Sequence, residues 1–275
     1  MLKNYLEDII QFEKWNTYIN RIPLLSIGVE ILKILEQYGD AYIVGGAVRD
    51  IITGEKEPDD IDIATNVPMD KIEKIFNTHD IGKNKDFGII IINYKGFDFE
   101  IAQFRSDGEY LDGRHPESVK IEMSFKEDAK RRDFTINAMA IDSKGNIIDY
   151  FDGIKAIQNK ILKTVGDPKQ RFKEDYLRML RSFRFASRLG FKIEDKTLNA
   201  IKRNAHNITK ISQERILKEL IKMAQQSGDK FADALIQMND AGILQYILPE
   251  IVQMDAYEHD IQNHPEGAKV RKILK

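Results

Sequence analysis

The sequence predicts an α+β head followed by an all-α segment, and two observations carry this prediction. Short runs that alternate apolar and polar residues, typical of strands, recur between "AYIVGG" and "NIIDYF" among helical patterns. From about residue 165 onward no strand pattern remains, and apolar residues recur at helical spacing. We therefore place the boundary after "FDG" at 151–153, which gives a head of residues 1–153 and a helical part of residues 154–275.

The elements of the head follow in order. Residues 1–37 are predicted to be helical, and Gly39 lies just past their end. "AYIVGGAVRDIITG" predicts a short strand, a glycine turn and a helix, and "DIDIAT" predicts a second strand. After a helix that begins at Pro68, "FGIIIINYKGFDFEIAQFR" predicts a hairpin that turns at "YKG". Residues 106–118 are predicted to be a loop, and "DFTINAMAIDSKGNIIDYFDG" a helix and then a strand that turns at "SKGN".

The helical part opens with one long predicted helix, "GDPKQRFKEDYLRMLRSFRFASRLGF". Asp167 is a good N-cap, Pro168 suits the first helical position, and Gln170 completes the spacing of a capping box. Gly190 is expected to cap the C-terminus. Two or three further helices are expected in "DKTLNAIKRNA", "SQERILKELIKMAQQ" and "KFADALIQMNDAG". The buried stripe of the long helix is predicted to comprise Phe172, Tyr176, Phe183, Ala186 and Leu189.

Composition excludes several classes of function. A chain of 275 residues can bury a sizeable core, and its 42% hydrophobic and 31% charged residues are ordinary for a globular protein. The absence of cysteine excludes disulfides, thiolate catalysis and zinc sites built on cysteine. No apolar run approaches 18 residues, so no membrane span is expected. The acidic, amphipathic N-terminus does not resemble a signal peptide, and we expect a cytoplasmic protein.

Charge is distributed unevenly along the chain. The net charge is only −2, but between Lys163 and Lys222 there are 16 Lys and Arg residues against seven Asp and Glu residues. This asymmetry suggests a face that binds a polyanion beside an acidic site. The alternative is an ordinary solvated helical surface.

Two aspartates of "DDIDIATN" are the first candidate for chemistry. Successive side chains of a strand point to opposite faces, so Asp60 and Asp62 share one face while Ile61 and Ile63 share the core face. Asp59 points away from the pair. Two carboxylates about 6–7 Å apart along a strand can converge on Mg²⁺, which prefers carboxylate and phosphate oxygens. The alternative is an exposed edge strand protected by charge.

A glycine turn opens "GGAVRD" (45–50), a stretch that ends ten residues before Asp60. Gly45 and Gly46 would let the backbone approach a phosphate closely, and Arg49 offers a forked contact to the same group. A glycine turn shortly before a pair of metal-binding carboxylates combines triphosphate and metal binding in one unit. Asp98 and Glu100 share a face of the next hairpin, and either could supply a third carboxylate or merely form the solvent side of that strand.

Six stretches then occur in the order seen in a known family: "GGAVRD", "DIDIAT", "DGRHP", "RRDFTINAMA", "EDYLRMLRSFRFASRLGF" and "ERILKEL". From about residue 22 to about residue 250, the sequence resembles class II tRNA nucleotidyltransferases (CCA-adding enzymes) and the related bacterial poly(A) polymerases. The resemblance implies a polymerase-β-like nucleotidyltransferase head with a small mixed sheet, followed by all-α neck and body segments. It also implies Mg²⁺-dependent addition of C and A, from CTP and ATP, to a tRNA 3′ end.

The resemblance assigns roles to residues that match its motifs. It implies metal binding by the aspartate pair and triphosphate binding at the glycine turn. It associates "RRDxxxN" with the nucleotide ribose and "EDxxR" with base reading. The resemblance implies that Asp60 and Asp62 are catalytic metal ligands. The nucleotide-binding residues that it implies are Gly45, Gly46, Arg49, Arg132, Asp133, Asn137, Asp175 and Arg178. To these we add Glu100 as a candidate third catalytic carboxylate, with Asp98 as the alternative, and Arg181 as a further candidate for nucleotide binding.

Base reading also has a physical basis. Asp175 and Arg178 are three apart on the predicted helix and would share a face, one accepting and the other donating hydrogen bonds. Cytosine and adenine both place an amino donor beside a ring-nitrogen acceptor, whereas guanine and uracil reverse this order. The alternative is an ordinary surface ion pair. We expect Glu174 to orient the pair or cap the helix, and Arg215 with Glu214 to brace the helix. Arg181, Arg184 and Arg188 are expected to face phosphate or the neighbouring domain.

The sequence leaves specificity open among CCA addition, CC addition alone, A addition alone and poly(A) synthesis. The alternative from a different functional class is an RNA-binding module without catalytic activity. His115 in "DGRHP" replaces an arginine more usual in the family. "EHDIQNHPEGAKVRKILK" resembles the entry to an HD phosphohydrolase-like region, so we expect either a truncated C-terminus or minimal tRNA binding. No oligomeric state is predicted.

Overall fold

The computed structural model describes residues 12–76, 88–108 and 119–254, which form two compact units. The head unit ends at Asn159 and the helical unit begins at Lys160. This boundary lies a few residues after the predicted one, because the helix Gly153–Gln158 packs against the head. A Cβ atom on Gly153 would lie only 2.5 Å from the carbonyl oxygen of Thr135.

The head unit begins with two described helices, α1 (Phe12–Ile19) and α2 (Pro23–Leu35), rather than one. The prediction of a single helical segment is therefore corrected. Pro23 occupies the first turn of α2, where its missing N–H costs nothing, and its ring is incompatible with a continuous helix from α1. On α2, Leu25, Val29 and Leu32 are fully buried and join the core of the head.

The head contains eight described strands. They are β1 (Ala41–Val44), β2 (Asp62–Thr65), β3 (Ile89–Tyr94), β4 (Phe97–Gln103), β5 (Arg105–Asp107), β6 (Val119–Ile121), β7 (Met139–Ile141) and β8 (Ile147–Asp149). Six form one sheet in the order β3-β4-β2-β1-β7-β8, and β5 pairs with β6 separately. Only the β2–β4 pair of the larger sheet is parallel, so the small mixed sheet is confirmed. The helices of the head after α2 are α3 (Gly46–Thr53), α4 (Met69–Phe76), α5 (Phe125–Lys130) and α6 (Gly153–Gln158).

The hairpin and the core face of the sheet agree with the sequence pattern. β3 and β4 are joined at Lys95 and Gly96, whose positive φ angles of 51° and 86° are typical of a two-residue hairpin turn. Ile61 and Ile63 are buried, as the alternation of "DIDIAT" predicts. The predicted helix at "DFTINA" is a single 3₁₀ turn, Thr135–Asn137, and two strands follow it.

The helical unit contains six described helices. They are α7 (Pro168–Glu174), α8 (Leu177–Leu189), α9 (Asp195–Asn204), α10 (Gln213–Ala224), α11 (Gly228–Asp240) and α12 (Pro249–Met254). It also contains one parallel pair of two-residue strands, β9 (Ile161–Leu162) and β10 (Lys192–Ile193). The second of these contradicts the expectation of no strand after about residue 165, because two residues are too few to show an alternating pattern. None of the helices in the described ranges has the length and apolar character needed to cross a membrane.

The long helix predicted from Asp167 to Gly190 is interrupted. Its caps are confirmed: the Asp167 side chain accepts the Gln170 N–H, and Gly190 adopts a φ of 64° at the C-terminal end. All five residues of its predicted stripe are buried. Between the caps, however, Asp175 is extended, with φ −152° and ψ 106°, and separates α7 from α8.

Candidate active site

The register of the sheet places Glu100 beside Asp62. Their Cα atoms are partners in the parallel β2–β4 pair, where neighbouring strands lie about 4.8 Å apart and paired side chains point to the same face. The strand predicted for "DIDIAT" begins at Asp62 and not at Asp60, so Asp60 lies two residues before the first residue of β2. Asp98 is paired with Asn93 and accepts a hydrogen bond from its amide at 2.7 Å. Of the two candidates for a third carboxylate, the structure thus brings Glu100 to Asp62.

The carboxylate of Asp62 has a perturbed acidity. The pKa of Asp62 is raised to about 6: desolvation by the surrounding protein is the largest cause, the nearby Asp60 and Glu100 carboxylates act in the same direction, and Arg132 opposes them. The residue nevertheless retains exposed surface, so a cation can reach it from solvent. Crowded carboxylates of this kind are stabilised by a bound cation.

The carboxylates suit a cation such as Mg²⁺, which substrate and water can coordinate in part, better than a cation that needs protein ligands alone. Within the described ranges, no group of three or more His, Cys, Asp or Glu side chains is arranged to hold a metal by itself. Mg²⁺ commonly binds through one or two carboxylates and completes its shell with substrate phosphates and water. A site on Asp60 and Asp62 that a triphosphate completes is consistent with this donor set, and its occupation by Mg²⁺ stays a prediction.

The glycine turn lies at the same place as Asp62. Gly45 has φ 75° and ψ −130°, a conformation open essentially to glycine alone, and α3 begins at Gly46. A Cβ atom on Gly45 would lie 3.5 Å from Nη1 of Arg132 and 3.7 Å from Oδ2 of Asp62. The turn, one carboxylate and one guanidinium therefore meet at a single point of the head, although they come from three separate parts of the sequence.

Arg49 lies beneath this turn in a buried network. Its Nε and Nη2 bind Asp50 at 2.9 and 2.8 Å, and its Nη1 donates to Oδ1 of Asn137 at 2.6 Å. Asn137 in turn donates to Asp133 at 3.1 Å. The two parallel donors of Arg49, Nε and Nη2, which we expected to bind phosphate, therefore bind Asp50. Arg49 supports the turn from inside the head, where it is only 3% exposed.

Asp128 on α5 belongs to the site, although it was not among the residues predicted from the sequence. Its Oδ2 accepts from Nε and Nη2 of Arg132 at 3.1 and 2.9 Å, and its Oδ1 accepts from Nε and Nη2 of Arg131 at 3.0 and 2.7 Å. Burial alone would raise the pKa of Asp128, but Arg132 and Arg131 hold it below its ordinary value. The available signal was the spacing of "DAKRR", which places an acid three and four residues before two arginines on a helix.

In the helical unit, Asp175 lies at the junction of α7 and α8. Its Oδ1 accepts the N–H of Leu177 at 3.0 Å, and its Oδ2 accepts from Nη2 of Arg215 at 2.8 Å. The prediction that Asp175 and Arg178 share one helix face is wrong, because the chain leaves the helix at Asp175. The bracing contact expected of Arg215 is present as this ion pair from α10.

Arg178 is held by residues of α7. Its Nη1 donates to Oε2 of Glu174 at 2.7 Å and to the carbonyl oxygen of Arg171 at 3.1 Å. Glu174 also pairs with the Arg171 guanidinium at 2.9 Å, which agrees with the orienting role expected of it. Glu214, expected to support Arg215, forms an ion pair with Lys218 at 2.6 Å.

The remaining arginines of α8 differ in their surroundings. Arg181 lies over the ring of Phe185, 5.3 Å from its centroid. Arg184 is buried and donates from Nε to Oε2 of Glu219 at 2.6 Å, so the prediction that it faces phosphate or another domain is wrong. For Arg181 and Arg188 that role stays a prediction. The "DGRHP" loop with His115 and the segment "EHDIQNHPEGAKVRKILK" lie outside the described residues.

Two family models match the chain. The model of the poly(A) polymerase head domain matches residues 41–163. A second model, described as a probable RNA and SrmB-binding site of polymerase A, matches residues 190–254.

The chain is also similar to curated proteins named CCA-adding enzyme. It is 42% identical to the one from Geobacillus kaustophilus over 227 residues, which make up 82% of this chain and 55% of the relative. It is 45% identical to the one from Bacillus pumilus over 239 residues, 86% of this chain and 58% of the relative. The chain thus spans little more than half the length of these relatives.

Solved structures show the same likeness. The Bacillus stearothermophilus CCA-adding enzyme in complex with CTP has a TM-score of 0.69 and 38% identity, over 80% of this chain and 53% of that one. A tRNA nucleotidyltransferase complexed with a primer tRNA and an incoming ATP analogue has a TM-score of 0.63 and 29% identity, over 82% of this chain and 66% of that one.

Proposed function

We propose the function of this chain from one premise: it belongs to the family of CCA-adding enzymes and poly(A) polymerases. It is a template-independent nucleotidyltransferase that adds C and A residues, from CTP and ATP, to tRNA 3′ ends. The observation that carries the proposal is the meeting of Asp62, Arg132 and the Gly45 turn at one point. These groups are the ones that a reaction on a nucleoside triphosphate requires.

In the proposed reaction the RNA 3′-hydroxyl attacks the α-phosphate of the nucleotide, and pyrophosphate leaves. Asp60 and Asp62, with Glu100 beside Asp62, would hold Mg²⁺, which when bound activates the hydroxyl and neutralises the leaving group. Gly45 lets the backbone approach the triphosphate. Asp128 holds Nε and Nη2 of Arg132, while Nη1 carries two hydrogens, donates to the Asn137 carbonyl oxygen at 3.5 Å and is the donor that Arg132 offers to the triphosphate.

In this proposal, base selection rests on Asp175 and Arg178. Asp175 accepts the amino group that cytosine and adenine share, and Arg178 donates to their ring nitrogen. Guanine and uracil present the reverse order and leave both protein groups unpaired, which disfavours their binding. Arg215 and Glu174 fix the two side chains through the contacts described above, so selection requires no template strand.

The helical unit is proposed to bind the RNA. It contains the basic stretch from Lys163 to Lys222, and the match to the RNA-binding region of polymerase A lies within it. A silent RNA-binding module is disfavoured, because a protein that only binds RNA gains nothing from crowded carboxylates such as Asp60 and Asp62 near phosphates.

Product length tests the proposal and separates its variants. The chain would be incubated with tRNA that ends at the discriminator base, tRNA that ends at CC, and an unrelated RNA, with each nucleotide supplied separately. CCA addition predicts C incorporation on the first substrate and A incorporation on the second. C incorporation alone, A incorporation alone, or a long A tail on any RNA would indicate the narrower alternatives.

The aspartates provide the matched variants. Asp62→Ala is expected to abolish incorporation and leave the fold intact. Asp59→Ala, which removes a neighbouring carboxylate that pairs with Lys56, is expected to leave incorporation unchanged. Near-normal incorporation by Asp62→Ala would contradict the metal assignment.

A further inference from the structure

A pocket outside the proposed active site lies within the helical unit, between α7 and α9. Its volume is about 480 Å³. Three cationic side chains line it, Lys169 on α7 and Lys196 and Arg203 on α9, together with the amide of Asn199. None of these residues has a role in the proposed active site.

The charge of this pocket is mostly uncompensated. Its one carboxylate, Asp167, is already engaged: it accepts the Gln170 N–H and pairs with Lys196 at 3.1 Å. In the part of the chain that the structure describes, neither Lys169 nor Arg203 forms an ion pair, and both are exposed. A concave surface with two such cations and an amide donor favours a ligand that carries phosphate oxygens.

From this arrangement we infer that the α7–α9 pocket binds the phosphodiester backbone of the RNA, separately from the nucleotide site. The inference rests on the proposed function, because it assumes that the chain binds tRNA. Lys169 and Arg203 contact phosphate oxygens directly, and Asn199 offers its amide to a phosphate or a ribose hydroxyl. Lys196 adds positive charge while it holds Asp167.

The position of the pocket along α7 suits this role. Asp167 lies at the N-terminal end of α7, and Asp175 lies at its C-terminal end. A helix of seven residues spans roughly 10 Å at a rise of about 1.5 Å per residue. The backbone of an RNA whose 3′ end reaches the base-reading Asp175 can therefore contact the pocket, because the distance between the two is short. Such a contact would contribute affinity for RNA of any sequence.

The salt dependence of tRNA binding tests the inference. The 275-residue chain and the double variant Lys169→Gln/Arg203→Gln would be titrated with tRNA lacking its terminal CCA at several salt concentrations. Each lost phosphate contact lowers the slope of log affinity against log salt by about 0.7 to 0.9, so a loss of about 1.4 to 1.8 is expected. Lys74→Gln/Lys218→Gln removes two exposed lysine charges outside the pocket and is expected to change the slope less.

Three further measurements separate the possible failures: ATP binding, nucleotide incorporation on tRNA, and tRNA binding by a variant that exchanges the two cations. A pocket that binds free nucleotide instead of RNA would show weaker ATP binding by the double variant with an unchanged tRNA slope, which would overturn the inference. A double variant whose tRNA slope equals that of the control pair would overturn it as well, while wild-type incorporation on tRNA leaves the proposed function intact. Failure of the wild type to bind tRNA would overturn both. Wild-type tRNA binding by Lys169→Arg/Arg203→Lys, which keeps both positive charges, would support a role for charge.

Discussion

Asp128 and Arg132 form a two-point ion pair in which the Asp128 side chain is only 1% exposed. The other oxygen of Asp128 binds Arg131, so one carboxylate fixes two adjacent arginines. Nη1 of Arg132 donates to the carbonyl oxygen of Asn137 at 3.5 Å and lies at the place where the Gly45 turn and Asp62 meet. A buried acid thus sets the direction of a guanidinium that the proposed reaction uses.

Substitution of this acid should be costly. Asp128→Asn leaves two partly buried arginines facing a neutral amide, and breaking a buried ion pair typically destabilises a protein by about 3–5 kcal/mol. Urea denaturation would measure the change in the free energy of unfolding. The control is Asp70→Asn on α4, an exposed pair with Lys74, where a loss below about 1 kcal/mol is expected. Equal losses in the two variants would contradict the role assigned to Asp128.

Any side chain at Gly45 should destabilise the head. Space is available for a Cβ atom, since no neighbour lies closer than 3.5 Å, but φ 75° with ψ −130° strains any other residue. Gly45→Ala is therefore expected to destabilise the head by about 1–3 kcal/mol and to weaken CTP binding. Gly228→Ala, at an open helical position without positive φ, is expected to stay within about 0.5 kcal/mol of the wild type. A neutral Gly45→Ala variant would show that the turn can relax.

Much of the head could be predicted because its pattern is local. The alternation of "DIDIAT" predicts that Ile61 and Ile63 face the core, and the hairpin at "YKG" is marked by its turn residues. The choice between Asp98 and Glu100 could not be made from the sequence. It depends on the register of the parallel β2–β4 pair, whose strands are separated by other elements and meet only in the folded sheet.

The misses in the helical unit have a different cause. Apolar spacing continues from Phe172 to Phe183 as if one helix ran through, and it contains no sign of the break at Asp175. The break is stabilised by contacts that the sequence pattern cannot show, namely the Leu177 N–H and the Arg215 guanidinium from another helix. A related cause explains why Asp128 was not predicted and why Arg184 was predicted to lie at the surface. A charged residue is expected to be solvated unless its buried partner is known, and the sequence does not show that partner.

The Asp175–Arg215 ion pair should affect nucleotide choice. Arg215→Ala removes the contact that holds the Asp175 carboxylate, and a hydrogen bond to a charged group contributes about 1.5–3 kcal/mol. We expect the ratio of kcat/KM for CTP over UTP to fall by about ten- to a hundredfold, with partial recovery in Arg215→Lys. Lys218→Ala, on the same helix, is the control and should keep the wild-type ratio. A wild-type ratio in Arg215→Ala would show that Asp175 needs no brace.

Asp62 should make stability depend on pH when no metal is bound. Its pKa of about 6 in the folded chain lies above the ordinary value of 3.8, so between these values the folded chain binds more protons than the unfolded chain. Its contribution to the free energy of unfolding must therefore rise as pH falls through about 6 and level off near 4. Urea midpoints in EDTA, measured at pH 7.5, 6 and 5, should show this rise in the wild type relative to Asp62→Asn.

Mg²⁺ should stabilise the wild type more at pH 7.5 than at pH 5, because protons compete with the cation for the same carboxylate. Parallel pH profiles for the two proteins would contradict the assignment of this titration to Asp62.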